Sequence, residues 1–120
     1  MAKALIVSGD EAERYLYKMA IEFQKIEVLL AKDIKEAIKK ILVSVPDLVI
    51  LDLKTIDFDK IAELKVIKKS HRSLPVIIMT ELKKDEAKKQ ACVLGACQIL
   101  AQKEATLGNL IKKTRETVRK

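Results

Sequence analysis

The sequence predicts an α/β fold in which a doubly wound parallel sheet of five strands is covered by helices on both faces. Five short apolar segments alternate along the chain with five segments of helical periodicity. The third apolar segment, Leu48 to Leu51, has four consecutive apolar residues, which is typical of a strand buried on both faces. A chain of 120 residues suits one domain with one core, and we expect residues 1–120 to form it.

The first half of the chain predicts two strands, each followed by a helix. Ala4 to Val7 forms the first strand and Ile26 to Ala31 the second. The first helix begins near Asp10, and its predicted buried stripe consists of Tyr15, Leu16, Met19, Ala20 and Phe23. Asp33 is the predicted N-cap of the second helix, which must end before Pro46. The residues that this helix is expected to bury are Ile34, Ala37, Ile38 and Ile41.

The second half predicts three further strands and three helices. The third strand ends at Asp52, the fourth covers Pro75 to Thr80, and the fifth covers Gln98 to Ala101. The third helix is expected from about Phe58 to Lys69, with Ile61, Leu64, Val66 and Ile67 on its apolar side. Asp85 begins the fourth helix and Gly95 ends it. Thr106 caps the last helix, whose predicted buried residues are Leu107, Leu110, Ile111 and Val118.

Several functional classes are excluded by residues that the chain lacks. His71 is the only histidine, so no Ser/His/Asp or Cys/His catalytic arrangement is expected around it. Cys92 and Cys97 provide neither a disulfide framework nor zinc-ligand spacing. The spacings of dinucleotide-binding and P-loop motifs do not occur. We therefore predict that the chain is not an enzyme.

No apolar segment of the sequence approaches the roughly 20 residues that cross a bilayer. The N-terminus also lacks a basic region followed by a long apolar segment, so no signal peptide is expected. These two observations predict a cytoplasmic protein without a membrane partner.

The net charge of +7 is distributed unevenly along the chain. Residues 1–59 contain 9 Lys/Arg and 11 Asp/Glu, whereas residues 60–120 contain 15 Lys/Arg and 6 Asp/Glu. A basic second half is typical of a solvated lysine-rich surface, and it also suits a surface that meets an acidic protein or nucleic acid.

Three segments in the right order resemble the receiver domain of two-component response regulators. Residues 46–53, Pro-Asp-Leu-Val-Ile-Leu-Asp-Leu, resemble the strand that carries the phosphoacceptor. Residues 75–80 resemble the fourth strand of that family, and Gly95-Ala96 resembles the turn before its fifth strand. The resemblance implies a flavodoxin-like (βα)5 fold with strand order 2-1-3-4-5, and helices one and five on one face. It also implies a role in phosphorelay signalling, with Asp52 as the phosphoacceptor candidate and Thr80 contacting the phosphoryl group.

The chain departs from the family where receivers hold a divalent metal. Two adjacent carboxylates normally follow the first strand, but Ser8 and Gly9 stand at those positions. The metal-ligand candidates are then Asp52 and, as a fallback, Asp10, so we expect any Mg²⁺ binding to be weak. Restoring acids by Ser8→Asp and Gly9→Asp is expected to strengthen it.

A second departure lies after the fifth strand, where the family has a lysine followed by a proline. Gln102 occupies the lysine position and Lys103 the proline position, so both are candidates for phosphoryl contact. Ile99 stands at the family's aromatic switch position and has no polar tip.

Two hypotheses remain open. In the first, the chain is a receiver-like signalling domain in which metal-dependent phosphorylation of Asp52 is impaired, and its partner is a sensor kinase or an output protein. In the second, it is a phosphorylation-independent docking module that binds an acidic protein or nucleic acid. In both cases we expect a monomer or a weak dimer. The partner face expected in the second case is formed by Lys84, Lys88, Lys112, Arg115 and Arg119.

Overall fold

The computed structural model describes residues 1–56, 61–91 and 98–119 and contains the predicted five-stranded parallel sheet. Its strands are β1 (Lys3–Val7), β2 (Glu27–Ala31), β3 (Leu48–Asp52), β4 (Val76–Thr80) and β5 (Gln98–Ala101). All neighbouring pairs are parallel, in the order β2-β1-β3-β4-β5. The predicted fold class and strand order are therefore confirmed. The carboxyl ends of β1 and β3 lie side by side at the same end of the sheet, since Val7 is in register with Leu51.

Five helices connect and follow the strands: α1 (Glu11–Glu22), α2 (Ile34–Val43), α3 (Ile61–Ser70), α4 (Lys84–Ala91) and α5 (Leu107–Val118). The predicted caps Asp33 and Thr106 are confirmed, and Asp10, near which the first helix was expected to begin, caps α1. The side chains of Asp10, Asp33 and Thr106 accept hydrogen bonds from backbone N–H groups three residues later, at 2.9, 2.8 and 3.2 Å. The second helix ends before Pro46, as expected. No helix of the described segments is long and apolar enough to cross a membrane.

The sheet separates two apolar cores. On one face, Tyr17 and Ile21 of α1 and Leu110 of α5 pack over β1, β3 and β4. On the other face, α2 contributes the buried residues Ile34, Ala37 and Ile41, with Ile38 partly buried against them. This confirms the predicted apolar side of α2 and the shared face of α1 and α5. In α5, Leu107, Ile111 and Val118 are only half-buried, whereas Thr114 and Thr117 are buried.

The predicted buried stripe of α1 is wrong. Met19 is 67% exposed and Phe23 is 90% exposed, and Tyr15 and Leu16 are also exposed. Tyr17 and Ile21, one turn apart, face the sheet in their place. The helix carries apolar side chains around most of its circumference, and the sheet covers only the side that contains Tyr17 and Ile21. Apolar periodicity therefore did not identify which side is buried.

Some predictions fall outside the described residues. The start of the third helix near Phe58, the end of the fourth helix at Gly95, and both cysteines belong to segments 57–60 and 92–97. The predicted buried side chains of the third helix, Ile61, Leu64, Val66 and Ile67, are likewise outside the described side chains.

The exposure pattern of α1 predicts opposite outcomes for two alanine substitutions on one helix. Ile21→Ala removes a fully buried side chain and is expected to lower the free energy of unfolding by about 2–4 kcal/mol. Met19→Ala removes a mostly exposed side chain and is expected to change it by less than about 0.5 kcal/mol. Urea denaturation of the two variants and the native protein measures both effects. A larger loss of stability for Met19→Ala than for Ile21→Ala would show that the predicted stripe of α1 is the buried one.

Candidate functional site at the carboxyl end of β3

Asp52 is the last residue of β3, and its side chain is fully buried. The hydroxyl of Ser8 donates to Asp52 Oδ2 at 3.0 Å, and the backbone N–H of Lys54 donates to Oδ1 at 3.2 Å. The carbonyl oxygen of Asp52 accepts from the backbone N–H groups of Thr55 and Ile56, at 3.2 and 3.1 Å. These bonds turn the chain back over the carboxylate immediately after the strand. Both carboxylate oxygens therefore have a partner from the protein itself.

The loop after β1 packs tightly against the loop after β3. The backbone N–H of Gly9 donates to Thr55 Oγ1 at 2.8 Å, and the Thr55 hydroxyl donates to the carbonyl of Asp52 at 3.2 Å. A Cβ atom at residue 9 would lie 2.7 Å from the Thr55 carbonyl oxygen. An acid at residue 9 thus requires the two loops to separate, so Gly9→Asp meets a steric obstacle before it can contribute a ligand. The arginine of α1 closes the same turn, because Arg14 donates to the Ser8 carbonyl at 2.7 Å.

A second group of side chains, which the sequence analysis missed, completes the pocket. The Lys54 ammonium donates to Glu13 Oε1 at 3.2 Å and to the Tyr17 hydroxyl at 3.1 Å. It also lies 5.8 Å from the centre of the Tyr17 ring, within the range of a cation–π contact. The Glu13 carboxyl lies close enough to Asp52 for the two groups to shift each other's pKa. The i, i+4 spacing of Glu13 and Tyr17 places both on one side of α1, and this was the signal available in the sequence.

The pocket shifts the pKa values of its carboxyl groups in opposite directions. Burial, reinforced by the neighbouring Glu13 carboxyl, raises the pKa of Asp52 to about 7. The hydrogen bond from Asp52 lowers the pKa of Glu13, and the Lys54 ammonium adds to that effect. Below about pH 7 the pair thus shares one proton, held mainly by Asp52, while Glu13 is ionised and paired with Lys54. The charges in the pocket thus balance within the protein itself, because the negative Glu13 is paired with the positive Lys54 and Asp52 is mainly neutral.

The cation in this pocket also has a shifted pKa. Burial opposes the charged form of Lys54, but its hydrogen bonds to Tyr17 and Glu13 outweigh burial and raise its pKa. Burial raises the pKa of the Tyr17 hydroxyl as well. At neutral pH Lys54 is thus a cation, and Tyr17 is a neutral phenol whose oxygen accepts the hydrogen bond from Lys54.

The residues present do not fit a divalent metal. Within the described segments, no three His, Cys, Asp or Glu side chains are grouped so that they could hold a metal ion. Asp10 is exposed, and its carboxylate is engaged as the N-cap of α1. Ser8 and Gly9 supply no charge at the positions where receivers carry carboxylates. Mg²⁺ prefers several oxygen ligands with ionised carboxylates among them, and this pocket offers two carboxyl groups beside an ammonium.

The other predicted phosphoryl contacts lie near the same sheet edge but are not joined to Asp52. Thr80 ends β4 and is buried, and its hydroxyl accepts from the backbone N–H of Leu82 at 3.2 Å. Gln102 and Lys103 lie in a short 3-10 helix after β5, where both side chains are exposed. Gln102 adopts a left-handed backbone conformation with φ of 49°. No hydrogen bond or ion pair of the described residues connects any of these three side chains to Asp52.

The five residues of the predicted basic face are all exposed. Lys84 and Lys88 lie on α4, whereas Lys112 and Arg115 lie on α5 and Arg119 follows it. Arg115 donates to Gln24 Oε1, just after α1, at 3.4 Å. Arg115 and Arg119 line a surface hollow of about 380 Å³ together with Phe23, which caps the end of α1.

The raised pKa of Asp52 predicts how stability depends on pH. Between about pH 4 and pH 7 the folded state keeps a proton that the unfolded chain releases, so the free energy of unfolding falls as the pH rises through this interval. Asp52→Asn removes this loss. We expect the variant to be more stable than the native protein at pH 8, by about 1.4 kcal/mol for each unit by which the pKa of Asp52 is raised, and by much less at pH 4.

Chemical denaturation at a series of pH values measures this difference, and Glu116→Gln, which changes an exposed acid of α5, is the matched control. A stability gain in Asp52→Asn that is the same at every pH would show that the carboxyl of Asp52 has its ordinary pKa.

Comparison with known proteins agrees with this architecture. Residues 4–115 match the response regulator receiver domain family. The chain is 27% identical over 124 residues to protein-glutamate methylesterase/protein-glutamine glutaminase 2 of Carboxydothermus hydrogenoformans. That alignment covers 98% of this chain and 35% of the relative, so the chain spans about a third of the relative's length.

Solved receiver structures superpose over nearly the whole chain. The receiver domain of the Francisella response regulator 1452 is 26% identical with a TM-score of 0.84, covering 99% of this chain and 98% of that one. A response regulator receiver domain protein of Methanospirillum hungatei is 25% identical with a TM-score of 0.83, covering 99% of this chain and 94% of that one. The family match, the strand order and the buried aspartate at the end of β3 lead to one conclusion: the chain belongs to the response regulator receiver domain family.

Proposed function

We propose that this receiver domain acts in two-component signalling with Asp52 as an impaired phosphoacceptor. The observation that supports this proposal is the enclosure of Asp52 by its own protein. The carboxylate is fully buried, both of its oxygens accept hydrogen bonds, and the Glu13–Lys54 ion pair lies beside it. The domain then conveys its signal through protein contacts that do not require phosphorylation of Asp52.

Phosphoryl transfer to a carboxyl group requires an ionised oxygen that can approach the phosphorus of the donor. Here the pKa of Asp52 is raised to about 7 by burial and by Glu13, so a large fraction of the carboxyl is protonated near neutral pH. Breaking the Ser8 hydrogen bond is a further cost of exposing Oδ2. Charge on the transferring phosphoryl group also needs a nearby cation, and Lys54 is already paired with Glu13.

Thr80 and Gln102, the other polar residues considered at this end of the sheet, would add little stabilisation to a phosphoryl group on Asp52. Thr80 is available as a hydroxyl donor, since among the described residues its oxygen accepts one hydrogen bond, from Leu82, and donates none. Gln102 brings hydrogen-bond donors but no charge, and it lies exposed after β5. We therefore propose that Thr80 and Gln102 have structural roles in the native protein. They would contact a phosphoryl group only if Asp52 were phosphorylated.

Intact-mass spectrometry after incubation with acetyl phosphate and Mg²⁺ tests the proposal. We expect little or no species carrying one added phosphoryl group, under conditions in which a metal-dependent receiver run in parallel is modified almost completely. Asp52→Asn serves as the background control. Stoichiometric phosphorylation of the native protein that is lost in Asp52→Asn would refute the impairment of Asp52.

A second function is favoured by the charge of the surface. Lys84, Lys88, Lys112, Arg115 and Arg119 are exposed, and none of them belongs to an ion pair of the described residues. Unpaired cations on neighbouring helices attract acidic partners and release counterions when they bind. We propose docking of an acidic protein or nucleic acid on this surface as the alternative function.

Charge reversal tests the docking function. Lys88→Glu combined with Lys112→Glu is expected to weaken binding of a fluorescent polyglutamate peptide or a DNA duplex by at least about tenfold at low salt. Lys35→Glu with Lys39→Glu, two exposed lysines of α2, makes the same change in net charge and is the matched control. Fluorescence anisotropy over a salt series measures both. Equal weakening by the control pair would show that only net charge matters, and weakening by Asp52→Ala would place Asp52 in the binding function.

A further inference from the structure

We propose that the Lys54 ammonium is a built-in cation that takes the place of a divalent metal in the acidic pocket, so that the pocket gains a metal site when this single side chain is removed. The role proposed for Lys54 rests on the proposed impairment of Asp52, because both concern the same pocket. The two ideas fail in different experiments, as described below.

The chain direction after β3 brings this cation into the pocket. The backbone N–H of Lys54 donates to Asp52 Oδ1, and the next two N–H groups donate to the Asp52 carbonyl, so the side chain of Lys54 folds back over the strand end. Its ammonium lies 3.2 Å from Glu13 Oε1 and 3.1 Å from the Tyr17 hydroxyl. Only 19% of the Lys54 side chain is exposed. The ammonium is therefore a fixed part of the pocket rather than a mobile surface charge.

Two contacts of Lys54 are of the kind that a small hard cation also makes. Its ammonium interacts with one carboxylate oxygen of Glu13 and with the hydroxyl oxygen of Tyr17, in a pocket that also contains Asp52. A divalent ion placed between Glu13 and Asp52 would be repelled by the ammonium and would have to displace it from Glu13. Native Lys54 thus excludes a metal ion in two ways. It occupies the Glu13 carboxylate, which would be a ligand of the metal, and its positive charge repels the ion.

The pocket also contains a ligand that Lys54 leaves unused. Glu13 Oε2 is buried and has no hydrogen-bond partner among the described residues. Glu13 and Asp52 are close enough to shift each other's pKa, and the Ser8 hydroxyl donates to Asp52 Oδ2 at 3.0 Å. Without the ammonium, two carboxylates and one hydroxyl remain together, which is a set of hard oxygen ligands suited to Mg²⁺ or Mn²⁺.

Mn²⁺ titration followed by water-proton relaxation tests the proposal with a readout that does not depend on phosphorylation. The native protein is expected to bind Mn²⁺ only in the millimolar range or more weakly. Lys54→Met keeps the length of the apolar stem and is expected to bind at least about tenfold more tightly, because the repulsive charge is gone and Glu13 is free. Lys40→Met, which removes the cation of the Lys40–Glu36 ion pair on α2, is the matched control and is expected to behave as the native protein.

A double variant locates the gained site. Lys54→Met combined with Asp52→Asn is expected to lose the gain, since one of the two carboxylates is then neutral. Lys54→Gln, which retains a hydrogen-bond donor for Tyr17, is expected to show the same gain as Lys54→Met and provides a second test if Lys54→Met is poorly folded. Thermal melts monitored by circular dichroism report folding, and added Mn²⁺ is expected to raise the Tm of the folded Lys54 variants but not that of the native protein.

Three outcomes would overturn the role of Lys54. They are equal Mn²⁺ affinity in the native protein and both Lys54 variants, an equal gain in Lys40→Met, and tight Mn²⁺ binding by the native protein. If the native protein resists phosphorylation while the Lys54 variants gain no metal site, the built-in cation is refuted and the impairment of Asp52 survives. If the native protein is phosphorylated stoichiometrically, the proposed function fails whatever the Lys54 variants bind.

Discussion

The burial of the Asp52 carboxyl group at the end of β3 is the constraint on which the functional edge of this protein depends. A buried carboxyl group must be hydrogen-bonded, neutralised or both. Ser8 approaches from the loop after β1, the backbone of Lys54 closes the turn after β3, and Glu13 approaches from α1. Two segments that are distant in sequence, Ser8 to Glu13 and the turn after β3, thus converge because one acidic group needs partners. Their convergence fixes the positions of both loops.

The fold could be predicted from the sequence because its signals are local. Alternating apolar segments and helical periodicity identified every strand and helix, and Asp33 and Thr106 marked helix starts through hydrogen bonds within three residues. The buried side of α1 could not be predicted in the same way. Apolar residues surround most of that helix, and the choice of side depends on Tyr17 and Ile21 meeting strands far away in the chain. Apolar periodicity indicates which sides of a helix could be buried, but packing against the sheet determines which side is buried.

The candidate site was predictable only in part, for a related reason. The position of Asp52 and the absence of carboxylates at residues 8 and 9 could be read directly from the sequence. The ion pair between Lys54 and Glu13 joins residues 41 positions apart and requires the chain to turn back after β3. No local sequence pattern predicts that the chain turns back in this way. The spacing of Glu13 and Tyr17 indicated only that both lie on one side of α1. The sequence therefore showed that residues 8 and 9 carry no acid, and the structure showed that the Glu13–Lys54 ion pair lies in the same pocket as Asp52.

The close contact between Gly9 and Thr55 limits which side chains residue 9 can carry. A Cβ at residue 9 would lie 2.7 Å from the Thr55 carbonyl oxygen, so any side chain at this position disturbs both loops. An acid at residue 9 therefore carries a cost in stability before its carboxylate can bind anything, and Gly9→Ala isolates that cost because it adds only the Cβ. This fold accommodates an acidic pair at residues 8 and 9 only when the backbone of the Thr55 loop moves as well.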